Sequence, residues 1–377
     1  MPRVLHCPTT VGGHPQGLAA AERRLGLDSR SVAFAPDPYG YPVDEILFEP
    51  GRGVLRWELR RWSFLREALR DYDVIHFNFG TTIAPNYVPR SARALTPNDP
   101  TRLGTIHGAY ARLLELRDLP LFRRAGKTIV VTFQGGDARQ GDYSKDHFEI
   151  SYATEVPVGF DSTEYDERKR WKISTFDRYA DHIFALNPDL LHVLPERARF
   201  LPYASVDIHE WRPAIGDPTG RPLVVHAPTD RPIKGTRFLD AAIDRLRAEE
   251  VDFEYVEVSG VTRSEARRVL ERADLVVDQL LAGWYGGLAV EAMALGKPVL
   301  AYIREGDLGF IPAQMRAELP VIDARPDTVV DVLREWLTHR RGELPEQGRL
   351  GRAFVERWHD PVRIAEETRA AYESKAA

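Results

Sequence analysis

The chain has 377 residues, 43% of them hydrophobic, enough for two ordinary domains with buried cores. Its net charge of -5 argues against a dedicated nucleic-acid binder, whose footprint is broadly basic. A single cysteine, Cys7, excludes a disulfide framework and a thiolate metal cluster and points to a reducing compartment.

The first residues, MPRVLHCPTT, lack a charged stretch leading into an apolar one, and no run approaches the length of a membrane span, so a cytoplasmic protein is expected. In chain order, short apolar runs then alternate with amphipathic segments, the rhythm of a mostly parallel sheet. Strands are expected at RVLHCP, SVAFA, VIHFNF, TIVVTF and HIFALN in the first half. The second half repeats the pattern with LVVHAP, FEYVEV, LVVDQLL, PVLAYI and LPVID, separated by helices such as TRFLDAAIDRLRAEE, SEARRVLERA and TVVDVLREWLTHR. Between the halves, EWRPAIGDPTGRP (210–222) breaks any regular element with prolines and glycines and reads as a linker. The expectation is an α/β protein of two Rossmann-like, doubly wound domains facing across a cleft, with ligands at the carboxyl ends of the strands. Residues 143–171 fit neither period and read either as a mobile loop over that cleft or as a surface excursion.

The run GWYGGLAVEAMALGKPV (283–299) follows the strand LVVDQLL. A glycine loop there enters a helix near Leu288, which puts the amides of Gly286 and Gly287 at a helix N-terminus, where unpartnered N–H groups and the dipole attract anions. Glu291, one turn further, would repel a phosphate but suits the two hydroxyls of a ribose. Together these features read as a nucleotide diphosphate site; the alternative is a capped helix with an exposed glutamate.

This run resembles the donor-site signature of retaining nucleotide-sugar glycosyltransferases of the two-Rossmann GT-B type, the group 1 or glycogen-synthase-like family. The GWYG form resembles a bacterial subgroup of it. In that family a glutamate is followed by a glycine-aromatic-glycine loop and, eight residues after the first, by a second glutamate; Glu291 is the second, and the first position falls on Gly283. Trp284, Tyr285 and Gly286 form the loop. The likeness extends to HAPTDRPIKGTRFL (226–239), where the family carries an arginine and, five residues on, Lys-Gly. Lys234-Gly235 matches, the arginine position is Thr229, and Arg231 is displaced by two. The resemblance implies that Lys234, with Arg231, stabilises a departing diphosphate, that Glu291 holds the ribose, and that Tyr285, Gly286 and Gly287 complete the donor site. It also implies that Gly12 and Gly13, in TTVGGHPQGL, let a loop approach the donor; this run is not GxGxxG, so a dinucleotide cofactor is disfavoured.

VIHFNFG (74–80) and TFQGGDAR (132–139) end strands whose tips should point into the cleft. Acceptor-side candidates are His14, His76, Gln134, Asp137 and Arg139. Asp137 and Arg139 read equally as a structural pair, and the two histidines equally as buried structural groups. There is no HExxH, no Cys-His cluster, no DxD pair at a strand end, no GxSxG and no Walker GxxxxGK[ST]. The reading is glycosyl transfer from a nucleotide sugar as co-substrate to a small-molecule, glycan or lipid-linked acceptor, with no metal and no other cofactor. The resemblance implies retention, with the departing phosphate taking the acceptor proton on the same face. A non-catalytic nucleotide-sugar-binding protein is the rival, motivated by Gly283 and Thr229.

RGVLRWELRRWSFLREALR (52–70) interleaves arginines with Trp57, Trp62 and Phe64. It reads as a basic aromatic helix resting on the anionic inner membrane face or, more commonly for such a pattern, as a solvated arginine face over a packed stripe. RWHDPVRIAEETRAAYES resembles the C-terminal helix that crosses back in this architecture. The expected division is therefore 1–210 on the acceptor side, 211–355 on the donor side, and a helix over 356–377 packing on the first domain.

Overall fold

A computed structural model of the chain describes residues 1–48, 53–87, 104–156, 162–215 and 220–374. They form two compact units. The first comprises Met1–Ser144, Pro157–Ser205 and Pro361–Ala377, the second Lys145–Val156 and Val206–Asp360.

The strands of the first unit are β1 (Arg3–Cys7), β2 (Asp28–Ala33), β3 (Glu45–Ile46), β4 (Val74–Asn78), β5 (Thr128–Phe133), β6 (His182–Ala185) and β7 (Arg199–Phe200). They make one parallel sheet in the order β3-β2-β1-β4-β5-β6-β7, with Val4 paired to Ser29 on one side and to Val74 on the other. Its helices are α1 (His14–Arg24), α2 (Val54–Asp71), α3 (Gly104–Leu114), α4 (Leu119–Arg124), α5 (Gly141–His147, running into the second unit) and α6 (Thr163–Tyr179). All five residues of β4 are buried, as a parallel strand covered on both faces requires. Phe77, Phe122, Phe133 and Phe176 pack edge to face in the core between sheet and helices.

Residues 143–171 are largely structured. They contain the end of α5, a single 3₁₀ turn at Tyr152–Thr154 and the start of α6; 157–161 lie outside the described residues. Helix α6 starts because the Ser162 hydroxyl accepts from Tyr165 N at 3.2 Å and Glu164 and Asp166 stand in the first turn.

The second unit has strands β8 (Leu223–His226), β9 (Glu254–Glu257), β10 (Leu275–Val277), β11 (Val299–Ala301) and β12 (Ile322–Asp323), parallel and ordered β12-β11-β10-β8-β9. Its helices are α7 (Arg231–Lys234), α8 (Thr236–Ala248), α9 (Arg263–Leu270), α10 (Gly287–Ala294), α11 (Ala313–Ala317), α12 (Val329–Leu337) and α13 (Leu344–Trp358). The last helix, α14 (Pro361–Glu373), belongs to the first unit and packs on α1. Both sheets are doubly wound, and each reverses its strand order once: between β1 and β4 in the first unit, between β8 and β10 in the second. The carboxyl ends of strands flanking such a reversal splay their loops apart and leave room for a ligand. Among the described residues no helix is long and apolar enough to cross a membrane.

Candidate functional site

In the second unit the reversal lies between the loop after β8, which leads into α7, and the loop after β10, which leads into α10. The first carries Lys234 and the second Gly286 and Gly287. The Lys234 ammonium donates to Asp278 Oδ1 at 2.7 Å and to Gln279 Oε1 at 2.9 Å. Asp278 is fully buried and accepts the Gly286 amide on its other oxygen. A Cβ at Gly286 would stand 3.2 Å from Lys234 Nζ and 3.2 Å from Asp278 Oδ2, so glycine is what lets the loop lie against this pair. An ammonium has three donors, and two are used here, leaving one for an incoming anion. His226, at the end of β8, bonds Val277 O at 2.8 Å and Thr236 Oγ1 at 2.9 Å and so holds the two loops in register.

Glu291 lies inside α10 and is buried; its Oε1 accepts from Arg263 Nε at 2.6 Å. Burial pushes its carboxyl up from the ordinary range, and Arg263 draws it back. Arg263 and Arg267, from α9, both lie over the Trp211 ring, 4.9 and 4.7 Å from its centroid. Arg231 is not gathered into this group. Half-exposed at the start of α7, it bonds Glu257 and, at 2.7 Å, Asp240. Tyr285 also turns away: it is fully buried, stacked on Trp284 at 4.3 Å, and its hydroxyl bonds His359 Nε2 at 2.8 Å.

At Gly283, the position that the sequence resemblance aligns with a glutamate, a side chain would be crowded. The glycine's φ is 76°, a left-handed conformation, and a Cβ there would come within 2.6 Å of Arg304 Nη1 and 2.7 Å of Arg304 Cζ. Arg304 is held in that space by Asp307 at 2.8 Å, by Ile150 O at 3.0 Å and by the Phe148 ring, 3.7 Å below its guanidinium. Sequence reading identified none of Asp278, Gln279, Arg263 or Arg304 as site groups. The available signal was polar DQ directly after the apolar LVV of β10, at a strand end.

In the first unit the reversal collects amide side chains. Gln134, after β5, donates to Asn78 Oδ1 at 3.3 Å and its carbonyl accepts Asn187 Nδ2 at 2.6 Å; Tyr203 donates to Asn187 Oδ1 at 2.8 Å. Gly12 and Gly13 have φ of 62° and 70°, and a Cβ at Gly12 would stand 4.0 Å from Gln134 Oε1, so the loop after β1 reaches this group. Asp137 does not pair with Arg139. It folds the loop after β5, accepting from Gly135 N at 2.7 Å and Gln134 N at 3.0 Å, while Arg139 makes a two-pronged bond to Asp189 at 2.6 and 3.0 Å. The two histidines sit in the interior. The His14 Nδ1 accepts Ala204 N at 3.0 Å. His76 is fully buried between Tyr372 OH and Thr132 Oγ1, each 2.7 Å away, and Tyr372 in turn donates to Glu22 at 2.7 Å, which fastens α14 to the sheet.

Burial pushes the Asp137 carboxyl up to about 6, with the Gly135 and Gln134 amides pulling the other way. Its folded value lies above the unfolded one of about 3.9, so its contribution to stability is fully present below about pH 4 and is lost as pH rises towards about 6. Asp137→Asn is expected to flatten the fall of unfolding free energy across that window in urea titrations. An unchanged slope would show that Asp137 titrates normally.

Among the described residues no cluster of three or more His, Cys, Asp or Glu could hold a metal ion. No protein-family model matches the chain, and no curated protein matches it in sequence. Solved structures match along almost its whole length. Sucrose-phosphate synthase from Thermosynechococcus elongatus superposes with a TM-score of 0.60 at 14% identity, covering 99% of this chain and 98% of that one. Anabaena HepE in complex with UDP-glucose gives 0.56 at 13%, covering 98% and 99%. The catalytic domain of starch synthase IV from Arabidopsis thaliana, bound to ADP and acarbose, gives 0.58 at 12%, covering 98% of each. At these identities the likeness is one of fold.

Proposed function

We propose that this protein is a glycosyltransferase of the GT-B type that moves a sugar from a nucleotide diphosphate to an acceptor, with retention and without a metal, in the cytoplasm. The observation that carries this reading is the meeting of a cation and a helix N-terminus at the β8/β10 reversal, Lys234 against Gly286. Its fold is that of proteins solved with UDP-glucose and with ADP, which supports a nucleoside diphosphate as the donor's carrier. In the proposed reaction the bond between the anomeric carbon and the diphosphate breaks, and the leaving oxygen's charge is met by Lys234 and the Gly287 amide. The acceptor oxygen bonds to the same face of that carbon, and its proton passes to the departing diphosphate. Glu291 exchanges Arg263 for the ribose hydroxyls. The polar group around Gln134, Asn78 and Gly12 takes the acceptor.

A second reading, a non-catalytic nucleotide-sugar binder, is favoured by one observation: Arg304 fills the space beside Gly283, so this loop presents no carboxylate there. A thermal-shift panel of UDP, GDP, ADP, TDP and their sugar conjugates tests the donor site. A ligand at a hundred times its dissociation constant should add about 2.7 kcal/mol, and Glu291→Ala should abolish the shift. No shift with any nucleotide would sink both readings. A shift without slow donor hydrolysis or transfer to any acceptor would leave only the binder.

A further inference from the structure

Away from the chain terminus, the large apolar side chains most open to solvent among the described residues are Ile106 (86%), Leu55 (76%), Leu113 (68%) and Leu59 (65%). All four lie on α2 and α3. These helices are neighbours, joined by Trp62 Nε1 donating to Tyr110 OH at 2.8 Å and Tyr110 OH donating to Glu58 at 2.9 Å. Single exposed leucines are ordinary on a soluble surface, but two pairs, Leu55 with Leu59 one turn apart and Ile106 with Leu113 two turns apart, on two adjoining helices are not scattered singly.

The charge around the patch has one sign. Arg56, Arg66 and Arg112 stand on the outward side, and none of the exposed positions of either helix is acidic, in a chain whose net charge is -5. The carboxylates of α2 are held by neighbours: Glu58 by Arg61 and Tyr110, Glu67 by Arg30 and Arg60, Asp71 by Arg70. The other face of α2 is packed, with Phe64, Leu65 and Ala68 in the core, so the exposed leucines are not a frayed or unplaced element. A purely apolar groove on a protein partner would leave the arginines unpaired. A bilayer with anionic headgroups uses both features, taking the apolar side chains at the acyl boundary and the arginines at the phosphates.

We propose that α2 and α3 together form a docking face for an anionic lipid bilayer. Of the two sequence readings of 52–70, the aromatics follow the packed stripe, with Phe64 in the core and Trp57 and Trp62 against it; the proposed face uses Leu55 and Leu59 instead, with α3 supplying its other half, and residue 52 lies outside the described residues. The proposal stands apart from the donor site and can fail without it. The test is co-flotation of the full chain with vesicles of phosphatidylcholine alone and of phosphatidylcholine with about one third phosphatidylglycerol. Binding is expected to the anionic vesicles and to fall at least tenfold on neutral ones, in Leu55→Glu/Leu59→Glu, in Arg56→Glu/Arg112→Glu, and at about 1 M salt, where charges are screened beyond about 3 Å. Thermal melts of the variants confirm that these surface changes leave the fold intact. No flotation with anionic vesicles overturns the proposal, as does flotation that the variants do not weaken. So does a patch whose variants change only the oligomeric state.

Discussion

Lys234→Ala is expected to lower turnover with a nucleotide sugar by about 10²–10³-fold, the usual cost of deleting one donor aimed at charge that develops as a bond breaks. The ammonium is fixed before any ligand arrives, by Asp278 and Gln279, so it costs little further order to present its remaining N–H to a leaving diphosphate. The same substitution removes the partner of a fully buried carboxylate, and breaking such a pair typically costs about 3–5 kcal/mol. The Gly286 amide still bonds Asp278 and softens that loss. Lost rate and lost stability therefore need separating, and Lys234→Ala/Asp278→Asn does so. Without the unpaired charge the double variant should regain most of the stability measured by urea unfolding and none of the turnover. Turnover that returned together with stability would mean that Lys234 only supports the loop.

Gly283→Ala is expected to cost about 2–5 kcal/mol. A residue with a Cβ loses roughly 1–2 kcal/mol in the left-handed conformation that Gly283 adopts. Overpacking against Arg304, whose Cβ lies only 3.0 Å from the added atom and whose guanidinium is pinned by Asp307 and Phe148, adds about 1–3 kcal/mol. A glutamate, Gly283→Glu, should fare no better and should not raise activity. Combining Gly283→Ala with Arg304→Ala is expected to relieve part of the clash, giving a coupling of about 1 kcal/mol or more in a double-mutant cycle. Strict additivity would show that Arg304 is not what closes this position.

The central parallel strands β1, β4, β5, β8 and β10 were legible because they are short, largely apolar and buried runs, and burial on both faces of a sheet demands such runs. The glycines of the loop GWYGG were legible because close backbone approach restricts residue type locally, whereas Lys234-Gly235 was legible only through the resemblance. Helix α6 was missed although Ser162, Glu164 and Asp166 spell its start, because charged side chains crowd TEYDERKRWKISTFDRY and leave only a faint apolar spacing to read. The two-residue strands β3 and β7 are too short to carry a period at all.

By itself, then, the amino-acid order determined where the longer strands lie, that they fall into two sets, and which glycines and which lysine stand after strands. Only the tertiary structure decided what each charged group meets. Arg139 takes Asp189 rather than Asp137, Arg231 takes Glu257 and Asp240 and leaves Lys234 to Asp278, and His76 is spent on Tyr372, far along the chain. The physical reason is that local conformation depends on a residue's immediate neighbours, whereas ion pairs and buried hydrogen bonds depend on which strands lie side by side. That order is set by packing of the whole sheet, and it placed Arg304 against Gly283.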